Sequence, residues 1–284
     1  MEFTQKSVQC LSPAGLHRMA YTEWGDPENP RVVVCVHGLT RNGRDFDHLA
    51  QALAADYRVI CPDVVGRGRS DHLRDPVHYG VPQYVADLVT LVARLDVEQV
   101  DWVGTSMGGL IGMTLAVQAG SPIRRLILND VGPLITVASL QRIAAYVGTD
   151  PRWPSEAAAL ADVRSINAAF GTLSDDQWWQ LTEHSIVRTA DGLWRYRYDP
   201  RIAEPFRNAF VDRDIDLWPL YEGIRCPTLV IRGALSDLLT AETWQAMGQR
   251  GPRARLAEVP GVGHAPMFLD APQVELVRNF LATS

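Results

Sequence analysis

The chain has 284 residues, of which 46% are hydrophobic and 21% are charged, as is usual for a soluble globular protein. This composition excludes a disordered or fibrous chain, and the length permits one enlarged domain or two small ones. The net charge is −6, from 27 basic and 33 acidic residues. Because no run of Lys or Arg could neutralise a phosphate backbone, we expect no nucleic acid partner.

The sequence also lacks the features of a secreted or membrane-bound chain. Its first residues contain no apolar stretch of signal-peptide length, and no apolar run reaches the roughly 18 residues that a membrane span requires. We therefore expect a cytoplasmic protein with no membrane partner. The four cysteines form no C-x-x-C pair, and we interpret them as small buried residues rather than disulfides or metal ligands. They are Cys10, Cys35, Cys61 and Cys226.

Short segments rich in β-branched residues alternate with segments of helical periodicity over most of the chain. The strand candidates lie at 31–36, 58–61, 99–103, 125–128, 228–232 and 255–259. The helix candidates lie at 46–54, 81–95, 108–119, 241–248 and 273–281. Since parallel strands need crossover helices, the alternation predicts a mostly parallel sheet that is covered by helices on both faces.

Residues 133–216 interrupt this alternation, with helical patterns but no convincing strand. The patterns lie at 134–147, 155–170 and 175–187. We therefore divide the chain into a core of residues 1–132 and 217–284 and a helical cap of residues 133–216. The rings of this cap could roof an apolar pocket or could attach the cap to the core. They belong to Trp153, Phe170, Trp178, Trp179, Trp194, Tyr196, Tyr198, Phe206 and Phe210.

A G-x-S-x-G motif at residues 104–108 lies between a strand candidate and a helix candidate. A glycine-flanked serine can simply turn the chain, but a strand, a tight turn and a helix together favour a nucleophile. The turn strains the serine backbone, and small flanking residues let neighbouring backbones approach closely. We predict that Ser106 projects its hydroxyl at the edge of the sheet. Met107 N–H would lie at a helix N-terminus, where it could stabilise an oxyanion.

The segment after the strand candidate at 31–36 supplies a possible second oxyanion donor. Gly38 permits a turn that could aim the Leu39 N–H at a substrate carbonyl oxygen. We interpret His37 as a structural residue that fixes this loop by hydrogen bonds. Residues 63–71 carry two glycines but match neither a dinucleotide-binding fingerprint nor a P-loop, so we predict a structural turn without a bound nucleotide.

A histidine near the C-terminus is the candidate general base. Of the seven histidines, His264 lies in a glycine-rich loop at 260–266 between a strand candidate and the last helix. Two aspartates compete to orient it, because Asp130 and Asp237 each follow a strand candidate. We favour Asp237, since the turn at 233–236 could carry its carboxylate to His264. Asp130 would then fix the start of the cap.

Several motifs, taken in chain order, resemble the α/β-hydrolase superfamily over nearly the whole sequence. The residues at 104–109, 129–133 and 198–200 are similar to those of intracellular bacterial carboxylesterases with a helical lid. The resemblance implies an α/β-hydrolase fold with about eight strands, the first of them within residues 5–24, and a lid inserted after the sixth. It also implies the chain order nucleophile, acid, histidine. The motifs are His37-Gly38, Asp63-x-x-Gly66-x-Gly68-x-Ser70, Gly104-x-Ser106-x-Gly108, Ser236-Asp237 and Gly263-His264.

These residues together predict a serine hydrolase that cleaves carboxylic esters through an acyl-enzyme intermediate. Ser106 would be the nucleophile, His264 the base and Asp237 the orienting acid. Leu39 and Met107 would form the oxyanion hole, with no metal or organic cofactor. We expect a small-molecule ester with an apolar acyl group as the substrate, and a monomer or homodimer as the assembly.

Several alternatives use the same three catalytic residues and differ in the pocket. They are a lactonase, a thioesterase, a carbon–carbon bond hydrolase and a cofactor-free haloperoxidase. The aromatic residues of the cap favour apolar acyl chains over the polar groups that carbon–carbon hydrolysis requires. A non-catalytic ligand receptor is an alternative of a different class, and steady turnover of an ester would exclude it. Acyl and alcohol preference, including short polyesters, stays open at this stage.

Overall fold

A central eight-stranded sheet organises the computed structural model, which describes residues 2–205 and 212–283. Its spatial order is β1-β2-β4-β3-β5-β6-β11-β12. The β1–β2 and β2–β4 pairs are antiparallel, and the pairs from β4 to β12 are parallel. The described strands are β1 (Thr4–Ser12), β2 (Gly15–Trp24), β3 (Val32–Val36), β4 (Arg58–Pro62), β5 (Val100–Thr105), β6 (Ile123–Asn129), β7 (Leu134–Ile135), β8 (Ile186–Arg188), β9 (Trp194–Tyr196), β10 (Ile215–Asp216), β11 (Thr228–Gly233) and β12 (Arg255–Val259).

Helices cover both faces of this sheet, as the sequence predicts. One apolar cluster packs α2, α3 and α8 on one face, and a second packs α1 and α9 on the other. Residues of β3 alternate between the two clusters, which is why that strand is apolar throughout. The α-helices that lie wholly within the described residues are α1 (Asp47–Leu53), α2 (Val81–Arg94), α3 (Met107–Ala116), α4 (Val137–Tyr146), α5 (Glu156–Ile166), α6 (Asp175–Glu183), α7 (Trp218–Glu222), α8 (Ala241–Met247) and α9 (Ala271–Leu281).

Residues 133–216 form the insertion after β6, and two expectations about it need correction. The insertion contains short strands, since β8 pairs with β9 and β7 pairs with β10. These strands have two or three residues each, too few for an alternating pattern to be visible in the sequence. The helix predicted at 175–187 ends at Glu183, and its last residues belong to β8 instead.

The β7–β10 pair joins the two ends of the insertion, so the chain leaves and re-enters the core at neighbouring points. The division into a core and a cap at residues 133 and 216 stays a prediction. Phe206 and Phe210, which we included among the cap aromatics, lie outside the described residues. Within the described ranges, no helix combines the length and the apolar character needed to cross a bilayer. Three of the four cysteines, Cys10, Cys35 and Cys61, are buried as predicted.

Close backbone packing shapes the turn between β5 and α3. A Cβ on Gly108 would lie 2.0 Å from the Val36 carbonyl oxygen, and one on Gly104 would lie 2.3 Å from the Gly108 carbonyl oxygen. Neither position tolerates a side chain unless the backbone moves. The two glycines of the motif therefore let α3 begin directly against β3, which fixes the serine between them.

His37 connects the loop after β3 with the loop after β4. Its Nε2 accepts a hydrogen bond from Val64 N–H at 3.0 Å. The proton therefore resides on Nδ1, which donates to the Gly38 carbonyl oxygen at 2.7 Å. Burial, assisted by the nearby Arg67 and Arg41, lowers the pKa of His37 to about 3. The contacts agree with the structural role that we assigned to His37 from the sequence.

We expect His37 to make the protein less stable as the pH falls below neutrality. An unfolded histidine has a pKa near 6.5, so protons below that pH bind the unfolded state and not the folded one. From pH 7 to pH 5 this linkage removes about 2 kcal/mol from the free energy of unfolding. Urea unfolding at both pH values should show a smaller pH dependence in His37→Asn than in the wild type. An equal pH dependence in both proteins would contradict this assignment.

Candidate active site

Ser106 occupies the turn between β5 and α3 with a strained backbone. Its φ of 52° and ψ of −115° lie in a region that non-glycine residues rarely adopt. Ser106 N–H donates to the Asn129 carbonyl oxygen at 3.0 Å, and its own carbonyl oxygen accepts from Gly109 and Leu110 N–H. These bonds hold the residue from both sides, so its side chain projects from the carboxyl end of β5.

The structure brings Ser106 and His264 together, as the sequence predicts. His264 Nε2 lies 3.0 Å from Ser106 Oγ. The loop that carries His264 follows β12 and is held by contacts with neighbouring segments, since Asn129 Nδ2 donates to the Pro266 carbonyl oxygen at 2.8 Å. The imidazole is 14% exposed, which leaves it accessible from the adjoining cavity.

The acid that contacts His264 is Asp130, and the prediction of Asp237 in this position is wrong. Asp130 Oδ2 lies 2.7 Å from His264 Nδ1. The Asp130 side chain is fully buried, and it accepts two further hydrogen bonds, from Gly233 N–H at 2.8 Å and from Ser236 Oγ at 2.6 Å. Three donors therefore compensate the burial of one carboxylate.

Asp237 points away from His264 and is 57% exposed. Its carboxylate forms a bidentate pair with Arg142 of α4, at 2.6 and 2.9 Å. The reason lies in the turn after β11, which directs Ser236 inward to Asp130 and the next residue outward. The contacts of Asp130 are with His264, Gly233 and Ser236. Asp130 therefore orients the imidazole, and our interpretation that it fixes the start of the insertion is wrong.

Leu39 lines the same cavity as Ser106, and Met107 follows Ser106 as the first residue of α3. Among the described residues, neither Leu39 N–H nor Met107 N–H donates a hydrogen bond to the protein. Arg67 supports both residues, because its Nε donates to the Leu39 carbonyl oxygen at 2.8 Å and its Nη2 lies 3.7 Å from Met107 Sδ. Arg67 is itself fully buried and also donates to Tyr84 Oη at 2.9 Å.

A cavity beside Ser106 and His264 lies between the core and the insertion. Aromatic residues of the insertion serve both purposes that the sequence left open. Trp178 stacks on Phe170 in an apolar cluster with Met267 and Leu269 of the core, which attaches the insertion, whereas Trp153 packs against Tyr196 within the insertion. Others reach the cavity itself, whose wall in the insertion includes Ile143, Tyr146, Phe170, Tyr196 and Tyr198.

Cys10, His17 and Asp87 form a buried group elsewhere in the fold, with potential metal-ligand atoms within 4.8 Å of one another. His17 Nε2 and Asp87 Oδ2 already form a hydrogen bond with each other at 2.9 Å, and Gln83 Nε2 donates to the other Asp87 oxygen at 2.7 Å. Burial raises the pKa of the Cys10 thiol to about 12, which keeps it protonated. These contacts form a structural network, in which His17 Nδ1 alone lacks a hydrogen-bond partner among the described residues.

Three residues at the site were missed or misassigned from the sequence. Asp130 was considered, and its position directly after β6 was the available signal, because Asp237 lies four residues beyond the end of β11. Ser236 was noted only as the neighbour of Asp237, yet its hydroxyl orients the carboxylate of Asp130. Arg67 was part of a recognised turn, but nothing in the sequence indicates that its guanidinium is buried.

Comparison with known proteins gives consistent matches over most of the chain. The sequence profile of the α/β-hydrolase fold family matches residues 31–271. A 3-hydroxybutyrate-oligomer hydrolase of Cupriavidus necator is 54% identical over 280 residues, which cover 96% of each chain. A 2-hydroxy-6-oxo-2,4-heptadienoate hydrolase of Pseudomonas putida is 26% identical over 255 residues, which cover 88% of each chain.

A solved structure of an α/β hydrolase from Novosphingobium aromaticivorans also superposes on this chain. The TM-score is 0.88 at 35% identity, and the match covers 99% of this chain and 98% of the other. With the observed sheet order and the family match from residue 31 to residue 271, the resemblance predicted from the sequence motifs is confirmed. The chain belongs to the α/β-hydrolase family.

Proposed function

We propose that this protein is a serine hydrolase that cleaves carboxylic esters through an acyl-enzyme intermediate. The observation that carries the proposal is the continuous hydrogen-bonded series from Asp130 through His264 to Ser106. A hydroxyl, an imidazole and a carboxylate in this order form the arrangement that activates serine for acyl transfer. The adjoining cavity gives an ester access to the hydroxyl.

In the proposed reaction, Ser106 Oγ attacks the ester carbonyl carbon while His264 Nε2 takes the hydroxyl proton. The negative charge develops on the carbonyl oxygen, where Leu39 and Met107 N–H groups stabilise it. His264 then gives the proton to the leaving alkoxide as the tetrahedral intermediate collapses to the acyl-enzyme. Water then attacks the acyl carbonyl carbon while His264 Nε2 takes one of its protons. The second tetrahedral intermediate collapses, His264 returns the proton to Ser106 Oγ, and the carboxylic acid is released.

Asp130 orients the imidazole throughout this cycle. Its hydrogen bond to Nδ1 selects the tautomer in which Nε2 can accept a proton, and its charge stabilises the imidazolium. Ser236 and Gly233 hold the carboxylate in place, so they are positioning residues. Arg67 has a similar role for the oxyanion donors, because it fixes the Leu39 carbonyl group and contacts Met107.

We further propose short esters of hydroxy acids as the substrate class. The supporting observation is the 54% identity to a protein named for hydrolysis of 3-hydroxybutyrate oligomers. The cavity suits such chains, since Ile143 and Met267 offer apolar contact and Tyr146 brings a phenol to its wall. Action in the cytoplasm, a preference for apolar acyl groups, and a monomeric or homodimeric state remain predictions.

Replacement of Ser106 by Ala tests the nucleophile. We expect kcat to fall by about 10⁴-fold or more on p-nitrophenyl butyrate and on a 3-hydroxybutyrate dimer, with loss of covalent labelling by a fluorophosphonate. Ser121→Ala is the matched control, because Ser121 precedes β6 and lies at the amino end of that strand, whereas Ser106 lies at the carboxyl end of β5. Labelling that survives in Ser106→Ala would assign the nucleophile elsewhere.

The same two esters test the substrate class in the wild-type protein. If the wild type hydrolyses p-nitrophenyl butyrate but not the 3-hydroxybutyrate dimer, the proposed substrate class is wrong and the proposed ester hydrolysis stands.

The two aspartates give a second test. Asp130→Asn should lower kcat by about 10⁴-fold, because an amide in this position favours the wrong imidazole tautomer. Asp237→Asn should change kcat by less than about tenfold, since Asp237 is exposed and paired with Arg142. Steady-state kinetics with the same ester measure both, and urea unfolding verifies that each variant is folded. A larger loss in Asp237→Asn would reverse the assignment.

A further inference from the structure

A second cavity lies on the other side of the 41–45 segment from the active site. We call it the polar cleft, and its volume of about 650 Å³ is within the usual range of ligand pockets. Its wall combines β1, β2 and the turn after β4 with two residues of the insertion. The basic residues of the wall are Lys6, Arg18, Arg44, Arg69, His184 and Arg197.

Three of these basic groups have carboxylate partners. Lys6 Nζ lies 2.6 Å from a Glu23 oxygen, and Arg18 lies 3.6 Å from Asp71. Arg44 pairs with Asp47. Each of these three groups therefore has a carboxylate beside it, although Glu23 also pairs with Arg58.

Arg69 and Arg197 differ from the other three. Arg69 Nη1 donates to Gln5 Oε1 at 2.6 Å, and Arg197 Nε donates to the Ile186 carbonyl oxygen at 3.1 Å. Both of these acceptors are neutral, and neither guanidinium forms an ion pair with any residue in the described part of the chain. Burial, together with the charge of Arg69, lowers the pKa of Arg197. Arg197 is half-buried and Arg69 is exposed, so the charge of Arg69 acts on a guanidinium that is only partly solvated.

One carboxylate, that of Asp63, also faces the polar cleft. It is buried, and its two oxygens accept hydrogen bonds from Gly43 and Arg69 N–H, each at 2.8 Å. Both oxygens of this carboxylate are therefore already bound by backbone N–H groups of two turns. Two guanidiniums against one such carboxylate leave a local excess of positive charge in a chain whose net charge is −6.

The imidazole of His184 adds no positive charge. Burial and the nearby arginines, Arg44 first among them, lower its pKa to about 4, so it is neutral at pH 7. Its Nε2 lies 3.4 Å from Glu183 Oε1 and 4.0 Å from Asp47 Oδ2, so His184 does not compete with the arginines for an anion. The two guanidiniums that lack a carboxylate partner are therefore the groups that suit an oxyanion.

We propose that the polar cleft binds a small oxyanion, a carboxylate or a phosphate, between Arg69 of the core and Arg197 of the insertion. Guanidinium groups match the geometry of both anions, and a bound anion would remove the repulsion between the two arginines. The bound anion would also connect the insertion to the core. The 41–45 segment separates the two cavities, since Arg41 lines the active site and Asn42 lines the polar cleft.

Isothermal titration calorimetry with inorganic phosphate and with butyrate tests the proposal, at constant ionic strength and with chloride as the reference. The protein has the wild-type active site, and because neither phosphate nor butyrate contains an ester bond, the result does not depend on the proposed function. We expect saturable binding that weakens about tenfold or more in Arg69→Gln and in Arg197→Gln. Arg255→Gln is the control, because Arg255 is exposed on β12 at the opposite edge of the sheet.

The two anions distinguish the sources of the ligand. Binding of phosphate alone indicates a phosphate-bearing molecule, and binding of butyrate indicates a carboxylate such as a hydrolysis product. Arg69→Lys and Arg197→Lys keep the charge and remove the fork, so they should weaken binding less than the glutamine variants and serve if those fail to fold. Heats no larger than those of chloride, or an affinity that is the same in the arginine variants and in Arg255→Gln, would overturn the proposal.

Discussion

The contact between the backbone of Gly108 and the Val36 carbonyl group is the constraint on which the site depends. With no Cβ between them, α3 begins directly against β3, and the chain has to reverse within one residue. That residue is Ser106, whose positive φ stores backbone strain that the surrounding hydrogen bonds sustain. A flexible turn would let the hydroxyl move away from the imidazole. The tight turn holds it 3.0 Å from His264 Nε2.

Parallel strands explain why distant parts of the chain meet at this point. The carboxyl ends of β5, β6, β11 and β12 all open at one edge of the sheet, and each supplies a loop to the site. Ser106 follows β5, Asp130 follows β6 and His264 lies in the loop after β12. The loop after β11 contributes Gly233 and Ser236, which bind the Asp130 carboxylate. No single segment holds the geometry, so the complete sheet is needed to align three side chains.

The sequence was a good guide wherever a local pattern determines the structure. The strand candidates, the nucleophile turn and the histidine loop each follow from neighbouring residues, and the structure brings Ser106 and His264 together as expected. The choice between Asp130 and Asp237 was wrong because it depends on which side of a turn faces inward. That direction is set by Ser236 and by the packing of β11 beside β6, which are tertiary contacts.

The short strands and the ion pair of the insertion, unlike its helices, were also beyond a local pattern. Its strands are two or three residues long, and they exist because partners such as β7 and β10 meet in three dimensions. The Arg142–Asp237 pair and the two unpaired arginines of the polar cleft have the same origin. A charged residue in a sequence does not indicate whether a partner will lie nearby. Such sites become visible when burial and distance are known.

The most direct test of the account is a crystal structure of the protein after reaction with a fluorophosphonate, which mimics the tetrahedral intermediate. The account predicts phosphorus bonded to Ser106 Oγ, with the phosphoryl oxygen about 2.7–3.1 Å from the N–H groups of Leu39 and Met107. His264 should remain between Ser106 and Asp130. An adduct on another residue, or a phosphoryl oxygen directed away from both N–H groups, would contradict it.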